Sequence, residues 1–212
     1  MPEYARSALE ALREPLECGH ITISRAARQR EFPARFQLLA AMNPCPCGHH
    51  GDPRRACRCT PEAIERYQGR LSGPLLDRID LHVEVPAVPP QALAAAPDGP
   101  SSATVRERVA AARAASFARQ GGSNAALGGA ALEQHARLEA PVLSFLQGAA
   151  RQLQWSARSY HRVLRVARTI ADLDHGAASG TLADAPIRLV HVAEAVQLRR
   201  GVHPAGGPGA AR

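Results

Sequence analysis

Apolar residues recur with helical spacing at the start of the chain, where residues 3–17 (EYARSALEALREPLE) place Leu9, Leu12 and Leu16 on one face. Cys18 and Gly19 then supply a stop. The spacing changes next. HITISRA and REFPARFQLLAAMN are two β-type runs parted by Arg-rich polar residues, which predicts a hairpin whose tip carries Arg25, Arg28 and Arg30. The second run ends in a continuous apolar segment, residues 36–42, which reads as a strand buried on both faces. Beyond a Cys-rich stretch, PEAIERYQGRL is spaced for a helix leading into LSGPLLDRID, and LHVEV (residues 81–85) reads as another short buried strand.

VPAVPPQALAAAPDGPSS breaks these periodicities with Pro, Ala and Ser, and is expected to be a linker. From residue 103 onward only helical spacing remains, in ATVRERVAAARAASFARQ, LEAPVLSFLQGAARQL, ARSYHRVLRVARTIADL and PIRLVHVAEAVQLR. The expected organisation is therefore a partial α/β core over residues 1–88, a linker over 89–102, a helical domain over 103–200 and a disordered tail over 201–212. GGSNAALGG is expected to be a flexible loop inside the helical domain.

Composition sharpens this picture in three places. A chain of 212 residues that is 45% hydrophobic can bury a real core. All 26 basic residues are Arg, and without a lysine this sequence holds no phosphate loop of the form G-x-x-x-x-G-K-[ST]. The net charge of +7 favours contact with a polyanion such as nucleic acid, but the arginines are scattered, and a coding bias toward Arg gives the same sum. No apolar run approaches the ~20 residues that cross a bilayer, and MPEYARSALE lacks a secretory pattern, so a cytoplasmic location with no membrane partner is expected.

Four of the five cysteines form C-x-C-x9-C-x-C: Cys45, Cys47, Cys57 and Cys59, bridged by a loop holding Gly48, Gly51 and Pro53. Four thiolates at this spacing can surround one Zn²⁺ and hold together an insert too polar to form its own core. His49 or His50 could replace one thiolate, and free thiols or a redox pair are the alternatives. Cys18 stands alone and reads as a small apolar residue at a helix end.

Three further positions carry candidate chemistry. Asn43 follows the apolar run directly, at the carboxyl end of an expected strand, where α/β folds form ligand crevices; the alternative is a turn cap before Pro44. Arg78, in LLDRID, sits between a helix end and a strand, suited either to grip phosphate or to pair with Asp77 or Asp80. Arg158 opens a helix in the second domain with Arg162 four residues on, and either could be a solvated helical charge.

The segment FPARFQLLAAMNPCPCGHHGDPRRACRCTPEAIERYQGRLSGPLLDRIDLHVEV closely resembles the ATPase core of the ComM/YifB family, relatives of the magnesium-chelatase ATPase subunit, and the resemblance runs from the first residues to about Arg200. It implies an AAA+ arrangement: an α/β core remnant with a partial sheet, β-hairpin and Cys-rich insert, followed by an all-α helical lid. In that family Asn43 corresponds to a sensor that orients the attacking water, and Arg78 to an arginine finger offered to a neighbouring subunit of a hexameric ring. Arg158, or alternatively Arg162, corresponds to the lid arginine that reaches nucleotide. Arg25, Arg28 and Arg30 fall on a hairpin that in related ring helicases points into the pore, where positive charge tracks a nucleic-acid backbone; the same residues could merely keep a hairpin soluble.

ATP and Mg²⁺ are the implied cofactors of the intact family member, with Zn²⁺ at the cysteines, and its implied activity is ATP-driven DNA translocation and branch migration in natural transformation. Because the chain begins at Met1-Pro2-Glu3, where the family's Walker B strand has just ended, it is expected to be a C-terminal fragment without either Walker motif and inactive alone. The strands at 36–42 and 81–85 are expected to lack the neighbour between them and to expose apolar faces. A non-catalytic zinc-binding module, or a metal-chelatase subunit with a tetrapyrrole-processing partner, are the alternative functions.

Overall fold

Residues 1–25, 28–94, 99–175 and 186–199 are described by a computed structural model, and they group into two compact units, residues 1–79 and a second beginning at Asp80. The first unit opens on two short helices, α1 (Arg6–Ala11) and α2 (Arg13–Cys18), where a single helix is expected. Pro15 explains the break: it has no N–H to give the carbonyl of Ala11. Gly19, at φ 74°, ends α2 in the left-handed cap, its N–H donating to Pro15 O at 3.0 Å. Leu9 faces a small core with Leu71, Leu75 and Leu76, against which Leu12, Leu16, Met42 and Ile79 pack. Cys18 is exposed at the end of α2, so it is not a packed apolar residue.

The expected hairpin is present. β1 (His20–Arg25) pairs antiparallel with β2 (Arg28–Pro33), from His20↔Pro33 to the Arg25↔Arg28 rung; residues 26 and 27 lie outside the described set. α3 (Pro61–Gln68) starts where Thr60 accepts the Ala63 N–H at 3.3 Å, and α4 (Gly73–Leu76) where Ser72 accepts that of Leu75 at 3.3 Å.

The two buried strands do not exist among the described residues. Residues 36–42 and 81–85 lie in no sheet and no helix, and the hairpin is the one sheet among the described residues. Leu39 is 94% exposed and Val85 83%, so the apolar faces are open, as expected of sheet strands without neighbours. No amide from residues 36–42 donates a hydrogen bond within the described structure. We expect those amides to exchange with deuterium within seconds at neutral pH, while the helix Ala157–His175 stays protected; slow exchange at Leu38 and Leu39 contradicts the open state.

The second unit is helical: α5 (Pro90–Ala94), α6 (Ser102–Gln120), α7 (Gly129–His135), α8 (Ala140–Gln152), α9 (Ala157–His175) and α10 (Leu189–Gln197). α9 is its axis, with α6, α7 and α10 packed around it. Its core joins Leu132, Leu146, Val163, Ala167, Ala171 and Val192, and the two alanines, four apart, allow close approach of neighbouring helices. The segment at 121–129 is not the flexible loop its composition suggests. Residues Asn124–Ala126 form a 3-10 turn, and Asn124 and Leu127 are buried. The expected tail, residues 201–212, lies outside the described residues. No described helix is long and apolar enough to cross a membrane.

Candidate functional site

The four clustered cysteines converge on one point. Their sulfur atoms all lie within 4.8 Å of one another, with Cys45–Cys47 at 3.4 Å, Cys47–Cys57 at 3.6 Å and Cys45–Cys57 at 3.7 Å. Thiolates at ~2.3 Å from a tetrahedral ion stand ~3.8 Å apart, so the set fits one divalent metal. Turns make the convergence possible. Gly48 and Gly51 both take φ of 83°, and the N–H of Gly48 donates to Cys45 O at 3.1 Å. α3 begins two residues after Cys59, and Gln68 Nε2 reaches back to Pro44 O at 3.0 Å, closing the base of the insert. His49 turns to Asp52 instead, at 3.8 Å, and among the described residues only the four sulfurs share the centre.

The electrostatics favour a cation. The amide N–H groups of Arg58 and then His49, with the Cys45 thiol, pull the Cys47 thiol down to about 6. Cys59 moves oppositely: an N–H from Cys47 lowers it, but burial and the crowding of Cys47 and Cys45 outweigh that and push it up to about 12. Once one sulfur is ionised, its neighbours resist further negative charge unless a metal supplies the balance.

The remaining candidates lie apart in sequence and in environment. Asn43 is exposed, two residues before the first metal-set cysteine, and follows a segment that is in no sheet. Arg78 is largely buried, and where pairing with a neighbouring aspartate is the alternative to gripping phosphate, its Nε lies instead 2.9 Å from Glu17 and its Nη1 donates to Pro74 O at 2.7 Å. The shallow cleft of ≈ 370 Å³ beside it is lined by Glu10, Glu14 and Glu17 together with Arg13 and Arg78, so both signs of charge share its rim. In the second unit Arg158 is exposed, whereas Arg162 is buried and held by Asp80 at 2.5 Å. Arg25, Arg28 and Arg30 are all exposed on the hairpin, and the nearby Glu31 pairs with His20 at 2.9 Å.

Composition and spacing miss one polar cluster entirely. Asp172, buried on α9, binds Arg119 Nη1 and Nη2 at 2.9 and 2.8 Å and Arg168 Nη2 at 2.8 Å. Asn124 completes it: its Nδ2 donates to Asp172 at 2.7 Å while its Oδ1 accepts from Arg119 and Gln120 at 2.9 and 3.0 Å. The visible signal is one aspartate among the apolar positions of α9, which alone gives no partner.

Residues 1–93 match the family described as magnesium chelatase, subunit ChlI, and residues 99–199 match the ChlI C-terminal family. The chain is 49% identical over 175 residues to the protein named YifB of Escherichia coli, and 48% over 174 residues to the competence protein ComM of Haemophilus influenzae, covering 82% of this chain and 34% of each relative. It is 45% identical over 200 residues to the YifB of Salmonella typhimurium, covering 94% of this chain and 38% of that protein. The chain thus spans about a third of the length of these relatives.

Proposed function

The chain belongs to the magnesium-chelatase ChlI family, in its ComM/YifB branch, and on that premise we propose that it forms part of an ATP-driven ring motor that moves along DNA. The hairpin carries this reading. β1 and β2 end on the rung Arg25↔Arg28, with Arg30 two residues further along and all three guanidinium groups exposed. Such a strip of charge suits the evenly spaced phosphates of a strand and reads no sequence.

In the motor, Asn43 orients the attacking water on ATP·Mg²⁺, Arg78 reaches the nucleotide of the adjoining subunit in a hexamer, and Arg162 or Arg158 answers from the lid. Both Arg78 and Arg162 hold a carboxylate here, Glu17 and Asp80, and phosphate must displace it. The four cysteines hold a structural Zn²⁺ that fixes the segment following Asn43. That arrangement supports the reading because a metal-clamped loop keeps the sensor amide in place as nucleotide comes and goes.

The test is to graft this chain over the matching third of the Haemophilus relative and follow ATP hydrolysis with and without branched DNA. We expect DNA to stimulate turnover, Arg78→Ala to lower kcat by about 10³-fold or more, and the combined Arg25→Ala, Arg28→Ala, Arg30→Ala variant to lose the stimulation. Turnover indifferent to DNA favours the chelatase reading. No turnover from a correctly assembled graft favours a non-catalytic zinc module.

A further inference from the structure

We propose that the cysteine insert is itself a second nucleic-acid contact, in which Arg55 and Arg58, with Arg54 beside them, grip the phosphates of a single strand from a metal-fixed loop. The inference rests on the metal reading of the four cysteines. Arg58 stands between two of them, Cys57 and Cys59, and its N–H bonds the sulfur of Cys47, so a bound ion fixes the backbone from which its side chain projects. Asp52 does the same for the other pair. Its carboxylate accepts the N–H of Arg54 at 2.8 Å and that of Arg55, a turn that sets both side chains outward, and all three arginines are exposed.

The Arg55 and Arg58 guanidinium groups are not used up inside the insert. The sulfurs take their hydrogen bonds from backbone amides and from one another. Asp52, the one carboxylate in residues 44–60, sits 3.8 Å from Arg54, while no carboxylate lies within ion-pair distance of Arg55 or Arg58 among the described residues. A divalent ion with four thiolates carries −2, and three arginines less one aspartate carry +2, so the insert has almost no net field. Affinity must therefore come from short, forked contacts between guanidinium and phosphate, the geometry in which Arg excels.

The composition of the insert narrows the ligand. Residues 44–60 hold no Phe, Tyr or Trp and no large aliphatic side chain, so nothing there can enter a lipid layer or fill an apolar groove. What remains is recognition of a phosphate backbone without regard to sequence.

The experiment uses the full 212-residue chain loaded with zinc, with metal content measured on every variant, and fluorescence anisotropy of a labelled oligo-dT strand across a series of salt concentrations. Arg55→Gln with Arg58→Gln is expected to keep its zinc and to flatten the slope of log K against log salt by about 1.4, from two phosphate contacts at about 0.7 each. Arg55→Lys with Arg58→Lys should restore the slope. Arg106→Gln with Arg108→Gln, the same charge lost from the exposed face of α6, should leave it alone. Removing the metal should flatten the slope as the double Gln variant does.

An unchanged slope in a zinc-loaded double Gln variant overturns the inference and leaves the metal reading standing. Loss of zinc from that variant also overturns it, since the arginines then serve the tetrathiolate charge. A wild-type chain that takes up no zinc overturns both. Sedimentation with phosphatidylserine vesicles in preference to DNA assigns the surface to lipid and overturns it too.

Discussion

Replacing Asp172 by Asn will destabilise the helical unit by about 3–5 kcal/mol, the usual consequence of removing one partner of a buried ion pair. The side chain keeps its shape, so the loss is one of charge. Asp172 is 1% exposed and the Arg119 side chain 5%, and in the variant Arg119 stays buried with no carboxylate to meet it. The damage spreads, because Asn124 bonds both Asp172 and Arg119 and thereby ties the turn at 124–126 to α9. Calorimetry or urea unfolding is the measurement; at roughly 4 °C per kcal/mol for a unit of this size, the melting temperature should fall by more than about 10 °C. A loss under about 1 kcal/mol means the network is not what holds α6 to α9.

The same carboxylate gives the unit an acid limit. Burial alone raises its pKa, but hydrogen bonds from Arg119 and Asn124 and the charges of Arg168 and Arg119 outweigh it, leaving the folded group below its ordinary value of 3.8. A depressed folded pKa means that the stabilisation is complete above the unfolded pKa and is lost as pH falls through the folded one. Wild type should therefore soften below about pH 4 more than the Asn variant does, the two curves converging in acid.

Residues 36–42 and Asn124 show where a single sequence stops being informative. Apolar spacing located α6, α8, α9 and α10 because a helix satisfies its backbone within its own segment, and four cysteines in fifteen residues announced their meeting for the same local reason. A strand is different. The run from Phe36 carries the pattern of a buried strand, but a strand forms only against a neighbour, and neighbours are not written in its own residues. Leu39 is exposed in consequence. Asn124 fails in the opposite sense: surrounded by Gly, Ser and Ala it looks mobile, yet its amide makes four bonds to side chains, and those on α9 lie up to 48 residues away. Arg78 and Arg162 were legible as candidates but not their partners Glu17 and Asp80, since ion pairs depend on packing that periodicity does not describe.

Cys45→Ser should abolish tight zinc binding and unfold the insert while leaving the helical unit folded. Cys45 is wholly buried at the centre of the set, and its sulfur lies within 3.7 Å of both Cys47 and Cys57. A serine hydroxyl there is protonated at neutral pH and a poor zinc ligand. Loss of groups that merely support a zinc ligand costs about 10–100-fold in affinity, so loss of a ligand should exceed 100-fold. Residues 44–60 bury little else that could hold them, since Cys45 is the insert's one fully buried residue. The helical unit has its own core, from Leu127 to Val196, and does not depend on the metal. Wild type should accordingly hold one zinc per chain, release protons as it binds, and lose the ion as the pH drops and the thiolates reprotonate. Chelation should erase hydrogen-exchange protection at Gly48 and Asp52, the amides that close the two turns, and leave α9 untouched. Should the serine variant retain zinc against a competing chelator as wild type does, the four sulfurs are free thiols drawn together by the fold, and Asn43 must be held in place by other means.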